Sequence, residues 1–290
     1  MTRTVPAVPA AARPVRPFQT QIILALKHLL LLIIGAAIVV PLLWMLRTSL
    51  AEPGDVFTDQ LEILPRTFVW RNYADAFATV PFGDFLWNSA KVAALSVLGQ
   101  VVSCTLAGYA FARLNFPARG LMFYLVLATL MIPAQVLLVP LYIVMRNLHL
   151  VNTHWALILP ALASPFGVFL MRQFFVGLPR ELEEAATVDG ASIPQIFWQI
   201  AFPVARPTIA TLAILAFIGS WGNLAAPLVL INDLQQATVP LGLLQFSSTY
   251  ATNWPSLMAA TTVSLLPSFV LYLLAQRYII SAYSMAGVQK

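Results

Sequence analysis

The stretch PRELEEAATVDGASIPQIFWQIAFPVARP, from Pro179 to Pro207, is a charged, helix-forming segment between two long apolar stretches. Three of the chain's 11 carboxylates fall within residues 181–184, and Asp189 follows shortly after them. Solubility alone does not account for such an acidic cluster in a chain that is otherwise so apolar. The pattern indicates a surface to which another protein binds.

The composition is that of an integral membrane protein. Of the 290 residues, 60% are hydrophobic and 9% are charged, compared with about 25% charged residues in soluble domains. The net charge of +5 does not indicate nucleic-acid binding, because the basic residues lie before and between the apolar stretches, where they set membrane orientation. The single cysteine, Cys104, excludes an internal disulfide and is predicted to be a small packing residue.

Six stretches are apolar and long enough to cross a bilayer as helices, which takes about 20 residues. They are residues 28–47, 87–112, 120–146, 154–176, 206–231 and 256–280. The chain is therefore predicted to be an all-α, polytopic membrane protein with six transmembrane helices. The Pro- and Ala-rich residues 1–27 are predicted to form a disordered cytoplasmic tail, and residues 28–290 the transmembrane domain.

The distribution of Lys and Arg predicts the orientation. Basic residues are found in both terminal segments, in the connection after the second predicted span and in the Pro179–Pro207 segment, whereas residues 232–255 contain none. Between the first two spans, six acidic residues outnumber three arginines. Because cytoplasmic connections carry an excess of Lys and Arg, both termini and the Pro179–Pro207 segment are predicted to be cytoplasmic.

Local preferences predict two helices joined by a bend in this segment. Pro179 suits a helix start, because its missing N–H has no intrahelical partner there, and the glutamates that follow are favourable at the positive end of the helix dipole. Gly190 suits a helix end in the left-handed conformation. Ser192 is predicted to cap a second helix, which Pro203 and Pro207 are expected to end.

The second helix has one apolar face that something must cover. Residues at i, i+3, i+4 and i+7 form this face: Ile193, Ile196, Phe197 and Ile200. One interpretation is an ordinary helix that lies on lipid with its acids in water. Helices of that kind usually carry Lys and Arg beside the anionic leaflet, so the second interpretation, an apolar stripe in a groove of a partner protein, fits the acids better.

The segment resembles the EAA loop of ATP-binding cassette (ABC) importer permeases, the cytoplasmic element that docks onto the ATPase subunit. The matching residues are Glu184, Ala185, Ala186, Asp189, Gly190, Ala191, Ile200, Pro203 and Pro207. The resemblance implies that these residues, together with Phe197, couple the chain to an ATPase. We refer to Pro179–Pro207 as the coupling segment.

The resemblance extends over most of the chain from about residue 40. The residues that carry it are Asn88-Ser89, Ala107–Arg113, Met131–Pro133, Val139–Tyr142, Phe169–Phe175, Pro227-Leu228 and Gln276–Tyr278. The chain is similar to the carbohydrate-uptake permeases of the maltose type, specifically their second, six-span permease subunit, which has the MetI-like fold. The resemblance implies a bacterial cytoplasmic-membrane protein that imports a mono- or oligosaccharide with a homologous permease, two ATPase subunits and an extracytoplasmic solute-binding protein.

The energy for transport is expected to come from the partner subunits. The chain has no GxxxxGK[ST] phosphate loop, no cofactor signature and only isolated histidines, so neither an enzyme activity nor a metal site is predicted, and ATP and Mg²⁺ are expected on the ATPase.

An ion-coupled secondary transporter is an alternative function, although no carboxylate pair lies within a span to relay protons. Import of glycerol-3-phosphate or a polyol-type solute by the same architecture is another, and an assembly protein without a pathway a third.

The predicted substrate pathway contains Trp221, Asn223, Gln245 and Tyr250. The last two belong to residues 232–255, whose amide, hydroxyl and aromatic side chains suit a neutral sugar through hydrogen bonds and stacking. Relatives usually have Trp and Asn adjacent in the fifth span, whereas Gly222 separates them in this chain.

Overall fold

The structure, a computed structural model, describes residues 18–57, 63–247 and 252–287. Over these ranges the chain is helical and forms no β-strand, as predicted. The helices, in chain order, are α1 (Phe18–Ser49), α2 (Arg71–Thr79), α3 (Phe82–Arg113), α4 (Arg119–Ala128), α5 (Leu138–Asn147), α6 (Trp155–Ala161), α7 (Pro165–Gly177), α8 (Glu181–Val188), α9 (Ile193–Ile196), α10 (Phe202–Trp221), α11 (Ala225–Leu230), α12 (Val239–Leu243) and α13 (Trp254–Gly287).

Five helical stretches in the described ranges are long and apolar enough to span a membrane. They are Ile22–Ser49, Phe82–Arg113, Trp155–Gly177, Ile193–Trp221 and Trp254–Leu274, and they correspond to five of the six predicted spans. The predicted third span, 120–146, is divided instead. Its first apolar helix ends at Met131 and α5 begins at Leu138. Pro133 lies in the break, where it can neither donate an N–H nor fit beside the preceding turn of a helix.

The first helix begins earlier than the sequence predicted. α1 starts at Phe18, so residues 18–27 are helical and the tail predicted to end at residue 27 was too long. The predicted tail ended at Lys27, but the residues before Lys27, from Gln21 to Leu26, are mostly apolar and extend the same helix. Once a helix has nucleated, each further residue adds a backbone hydrogen bond. Residues 1–17 lie outside the described residues.

The centre of the bundle is formed by α3, which packs along α7 and α10. α3 and α7 approach so closely that a β-carbon at Gly108 would lie 2.8 Å from the backbone nitrogen of Arg172, so only glycine fits there. Cys104 is fully buried in the cluster of apolar side chains between these helices, which confirms its predicted packing role. The close packing of α3 on α7 places the end of α3 beside the start of the coupling segment.

The connection before α12 is fixed to the beginning of α3. The Asn88 side-chain nitrogen donates to the carbonyls of Gln235 at 2.7 Å and Ala237 at 3.0 Å. The hydroxyl of Ser89 accepts from the backbone N–H of Val239 at 2.7 Å. The Asn-Ser pair therefore holds this loop against the bundle, which gives a structural reason for two of the residues on which the family resemblance rests.

Candidate functional site

The coupling segment has the predicted bend at Gly190, whose φ is +83°. The N–H of Gly190 donates to the carbonyl of Thr187 at 3.0 Å, and that of Ala191 donates to the carbonyl of Ala186 at 2.9 Å. These two bonds are the Schellman arrangement that ends a helix on a left-handed residue. A β-carbon at Gly190 would meet no atom within 4 Å, so the position favours glycine for its backbone conformation and not for space.

The second helix is capped as predicted but does not end as predicted. The backbone N–H and the hydroxyl of Ser192 both donate to the side-chain oxygen of Gln195 at 2.8 Å. After α9 the chain makes a π-helical turn at Phe197–Ala201 and continues directly into α10. Pro203 lies in the first turn of α10 and Pro207 inside it, so the prediction that they end the element was wrong.

The physical reason is the position of the first proline. Pro203 comes directly after the π-helical turn, where the altered hydrogen-bond pattern accommodates a residue that has no N–H to donate. Ile193–Trp221 is consequently one helical stretch of 29 residues. The end of the coupling segment and the fifth span therefore belong to one continuous helix.

Phe197 is buried inside the chain, which corrects its predicted exposure to a partner. Its side chain is 4% exposed, and its ring centroid lies 5.0 Å from that of Tyr109, which is 5.3 Å from that of Phe175. Ile196 on the same face is also buried. The apolar periodicity predicted that a partner covers this face, but α3 and α7 of the same chain cover Phe197, while Ile193 at the start of the face is exposed. Phe197 therefore anchors the coupling segment to the bundle.

The accessible surface of the coupling segment surrounds the bend. Of the predicted coupling residues, Glu184, Ala185, Asp189 and Gly190 are exposed, while Ala186, Ala191, Ile200 and Pro203 are half-buried. Four apolar side chains are exposed beside them, of which the sequence analysis singled out only the third: Leu182, Val188, Ile193 and Trp198. Val188, 88% exposed, directly precedes the Asp-Gly bend, a position that could have drawn attention to it.

An ion pair that the sequence analysis missed holds α8 to the end of α3. Nε of Arg113 lies 3.3 Å from Oε1 of Glu183, and the two side chains are 6% and 16% exposed. Arg113 also donates through Nη2 to the carbonyl of Leu178. Burial raises the pKa of the Glu183 carboxyl, and the positive charges of Arg113 and Arg180 act in the opposite direction.

The predicted pathway residues do not come together. Trp221 is buried; its indole N–H donates to the carbonyl of Ser264 at 3.0 Å, and its ring stacks on Phe217 with centroids 5.4 Å apart. Asn223 is exposed and lines a cavity that Trp221 does not reach. Gln245 is exposed in the loop before α13, and Tyr250 lies outside the described residues.

Two of the three histidines contact backbone carbonyls. His28 Nδ1 lies 2.7 Å from the carbonyl of Leu24, and His154 Nε2 lies 3.1 Å from the carbonyl of Gln236. In the part of the chain that the structure describes, no three His, Cys, Asp or Glu side chains are grouped so that they could hold a metal ion.

Comparison with known proteins gives the family. Residues 104–284 match the family described as the binding-protein-dependent transport system inner membrane component. The chain is 34% identical to the arabinooligosaccharides transport system permease protein AraQ of Halalkalibacterium halodurans, over 87% of this chain and 91% of that protein. It is 33% identical to the sn-glycerol-3-phosphate transport system permease protein UgpE of Yersinia pestis, over 87% and 93%, and 33% identical to the diacetylchitobiose uptake system permease protein NgcG of Streptomyces coelicolor, over 90% and 87%.

The fold agrees with this assignment. The structure superposes on a chain of a bacterial ABC transporter involved in the import of the acidic polysaccharide alginate with a TM-score of 0.82, at 20% identity, covering 92% of this chain and 99% of that chain. The likeness confirms the predicted all-α ABC importer permease fold. The chain belongs to the family of inner membrane components of binding-protein-dependent transport systems, and it is a transport permease subunit of that family.

Proposed function

We propose that this protein is the transmembrane permease subunit of a bacterial ABC importer that moves a mono- or oligosaccharide into the cytoplasm. Relatives named for arabinooligosaccharide transport and diacetylchitobiose uptake, each about a third identical to this chain, support a sugar. The similarly related protein named for sn-glycerol-3-phosphate transport makes that solute, carried by the same architecture, the second candidate.

The chain works with partners that supply recognition and energy. They are a homologous second permease, two ATPase subunits that bind ATP and Mg²⁺, and an extracytoplasmic solute-binding protein. This chain hydrolyses no ATP, and its own contribution is the pathway and the coupling segment. Both termini and the coupling segment face the cytoplasm, which the excess of Lys and Arg on that side supports.

The observation that carries the proposal is the continuity of the coupling segment with the fifth span. Ile193, whose apolar side chain is exposed, is the first residue of the continuous helical stretch that runs to Trp221, and the exposed Val188 lies on the other side of the Gly190 bend. Because packed helices and close-packed cores deform little, a displacement applied at this end by an ATPase moves the span itself. In this sequence of events the ATPase subunits close, the continuous helix moves, and the side of the membrane to which the pathway opens changes.

Reconstitution of the transporter with its partner subunits in proteoliposomes tests the function. We expect uptake of a sugar that requires ATP and the loaded binding protein. Replacement of Glu184 by Lys, which reverses the charge of an exposed motif residue, is expected to abolish ligand-stimulated ATP hydrolysis. The matched control is Glu181→Lys, an exposed glutamate of the same helix outside the motif, which is expected to retain it. Uptake driven by an ion gradient without ATP would instead establish the secondary-transporter alternative.

A further inference from the structure

A cavity of about 280 Å³ lies among α3, α6, α7, α10 and α11, beside the residue that precedes α12. This volume is near the lower end of small-molecule sites, about 300 Å³, and suits one sugar ring at a time. Five of the lining residues are polar: Gln100, Ser164, Ser220, Asn223 and Thr238. The remaining lining residues are apolar or glycine, so no charged side chain lines the cavity.

Thr238 is the observation that points to a ligand. Its side chain is 5% exposed, and within the described residues its buried hydroxyl has no hydrogen-bond partner. The backbone around it is fixed, because its carbonyl accepts from the N–H of Gly242 at 2.8 Å and the next N–H is held by Ser89. A buried hydroxyl without a partner is unfavourable. Because Thr238 lines the cavity, rotation of its side chain toward a bound solute would give this hydroxyl the hydrogen bond that it lacks.

The other polar groups add both donors and acceptors. Asn223 Oδ1 accepts from the N–H of Ala226 at 3.2 Å, which leaves the amide NH₂ to donate. Gln100 is half-buried in the middle of α3, and its amide makes no hydrogen bond to the described residues, so it can both donate and accept. Phe166, 46% exposed, provides an aromatic face against which the C–H face of a sugar ring can stack.

The lack of charge restricts the solute. A hydroxyl-rich neutral ring exchanges its water for the hydrogen bonds of Gln100, Asn223 and Thr238. A phosphate group entering the same cavity would lose its hydration without meeting a cation, which is strongly unfavourable.

We propose that this cavity is a solute-contact site of this subunit that binds one ring of a neutral saccharide and excludes phosphorylated solutes. The inference rests on the proposed function, which it deepens by giving this chain its own ligand contacts and by choosing between the two candidate solutes. It also explains why Thr238, Gln100 and Asn223 converge although they lie on three separate elements.

Transport measurements with the complete reconstituted importer test the site. The probes are arabinotriose, diacetylchitobiose and sn-glycerol-3-phosphate. Thr238→Val and Gln100→Leu preserve shape and remove hydrogen-bonding groups, and each is expected to raise the KM for the transported sugar about fivefold, the effect of losing one hydrogen bond. The matched control is Thr262→Val, because the Thr262 hydroxyl is bonded to the carbonyl of Met258 outside the cavity, and its KM should not change.

A binding readout separates the site from an indirect effect. With Cys104 replaced by alanine, maleimide labelling of a Ser220→Cys variant should be slowed by the transported sugar and unaffected by sn-glycerol-3-phosphate. Sugar uptake with an unchanged KM in both cavity variants and unprotected labelling would overturn the site while leaving the proposed function intact. Import of sn-glycerol-3-phosphate instead of either sugar would overturn the site together with the sugar assignment.

Discussion

Arg113, the last residue of α3, and Glu183, in the first turn of α8, form a mostly buried ion pair with 3.3 Å between Nε and Oε1. With the burial of Phe197 against residues of α3 and α7, it gives the coupling segment two anchors on the bundle, one on each side of the Gly190 bend. The exposed bend between the anchors is thereby held in a fixed position relative to the spans. This rigidity is what a segment needs if it is to pass a displacement to the pathway.

The first prediction concerns the charges of this pair. Glu183→Lys would bring two cations together, and Arg113→Glu two anions, and each is expected to destabilise the segment by about 3–5 kcal/mol, the cost of an uncompensated buried charge. Ligand-stimulated ATP hydrolysis should be lost in both. The double variant Arg113→Glu/Glu183→Arg restores opposite charges and should recover part of the activity. Additive losses in the double variant would show that the two residues do not act as a pair.

The second prediction is a pH dependence of stability. Because burial raises the pKa of Glu183, the folded protein favours its protonated form. The corresponding stabilisation is fully present below the ordinary carboxyl pKa of 4.5 and is lost as the pH rises through the raised value. Glu183→Gln lacks this titration and places a side chain of nearly the same size beside Arg113. The Tm of the wild-type complex relative to the Glu183→Gln complex should therefore fall from pH 4 upward, whereas an increase with pH would contradict the prediction.

The third prediction concerns the backbone of Gly190. A β-branched residue is strained at a φ of +83°, since the left-handed conformation costs L-residues about 1–2 kcal/mol and β-branched residues more. Gly190→Val should straighten or displace the bend and abolish coupling while the protein remains in the membrane. Gly190→Asn is the control, because asparagine tolerates this conformation and a side chain meets open space there. Equal ligand-stimulated ATP hydrolysis in the two variants would exclude a role for the backbone conformation.

The fourth prediction concerns orientation. On a Cys104→Ala background, a cysteine at the exposed Ser247 should react with a membrane-impermeant maleimide in intact cells. A cysteine at the exposed Thr187 should react only after the cells are opened, because the coupling segment is proposed to be cytoplasmic. The reverse labelling pattern would invert the topology.

Much of the fold followed from the sequence because its signals are local. Apolar stretch length predicted the spans, and Gly190 and Ser192 predicted the bend and cap that are observed. Pro133 was counted as a kink within a span, yet the structure has a break there, since the cost of a proline depends on the neighbours that re-satisfy the freed carbonyl.

The errors in the site arose from contacts between distant parts of the chain. Periodicity predicted a covered face around Phe197 but could not say that Tyr109 and Phe175 of the same chain cover it. Glu183 was grouped with its neighbouring carboxylates, whereas its partner Arg113 lies at the end of another helix. Trp221 and Asn223 are close in sequence, but the end of α10 between them directs Trp221 to α13 and Asn223 to the cavity.

The central claim is that the exposed bend of the coupling segment touches an ATPase subunit. Cross-linking of the complete importer measures this directly, with a single cysteine in place of Val188, which is 88% exposed beside the bend, and a matched cysteine at Ser247, on the proposed opposite side of the membrane. A short bismaleimide should join the Val188→Cys permease to the ATPase, with a yield that changes when ATP binds, and should not join the Ser247→Cys permease to it. No cross-link from Val188→Cys in an assembled, ATP-hydrolysing complex would contradict the account.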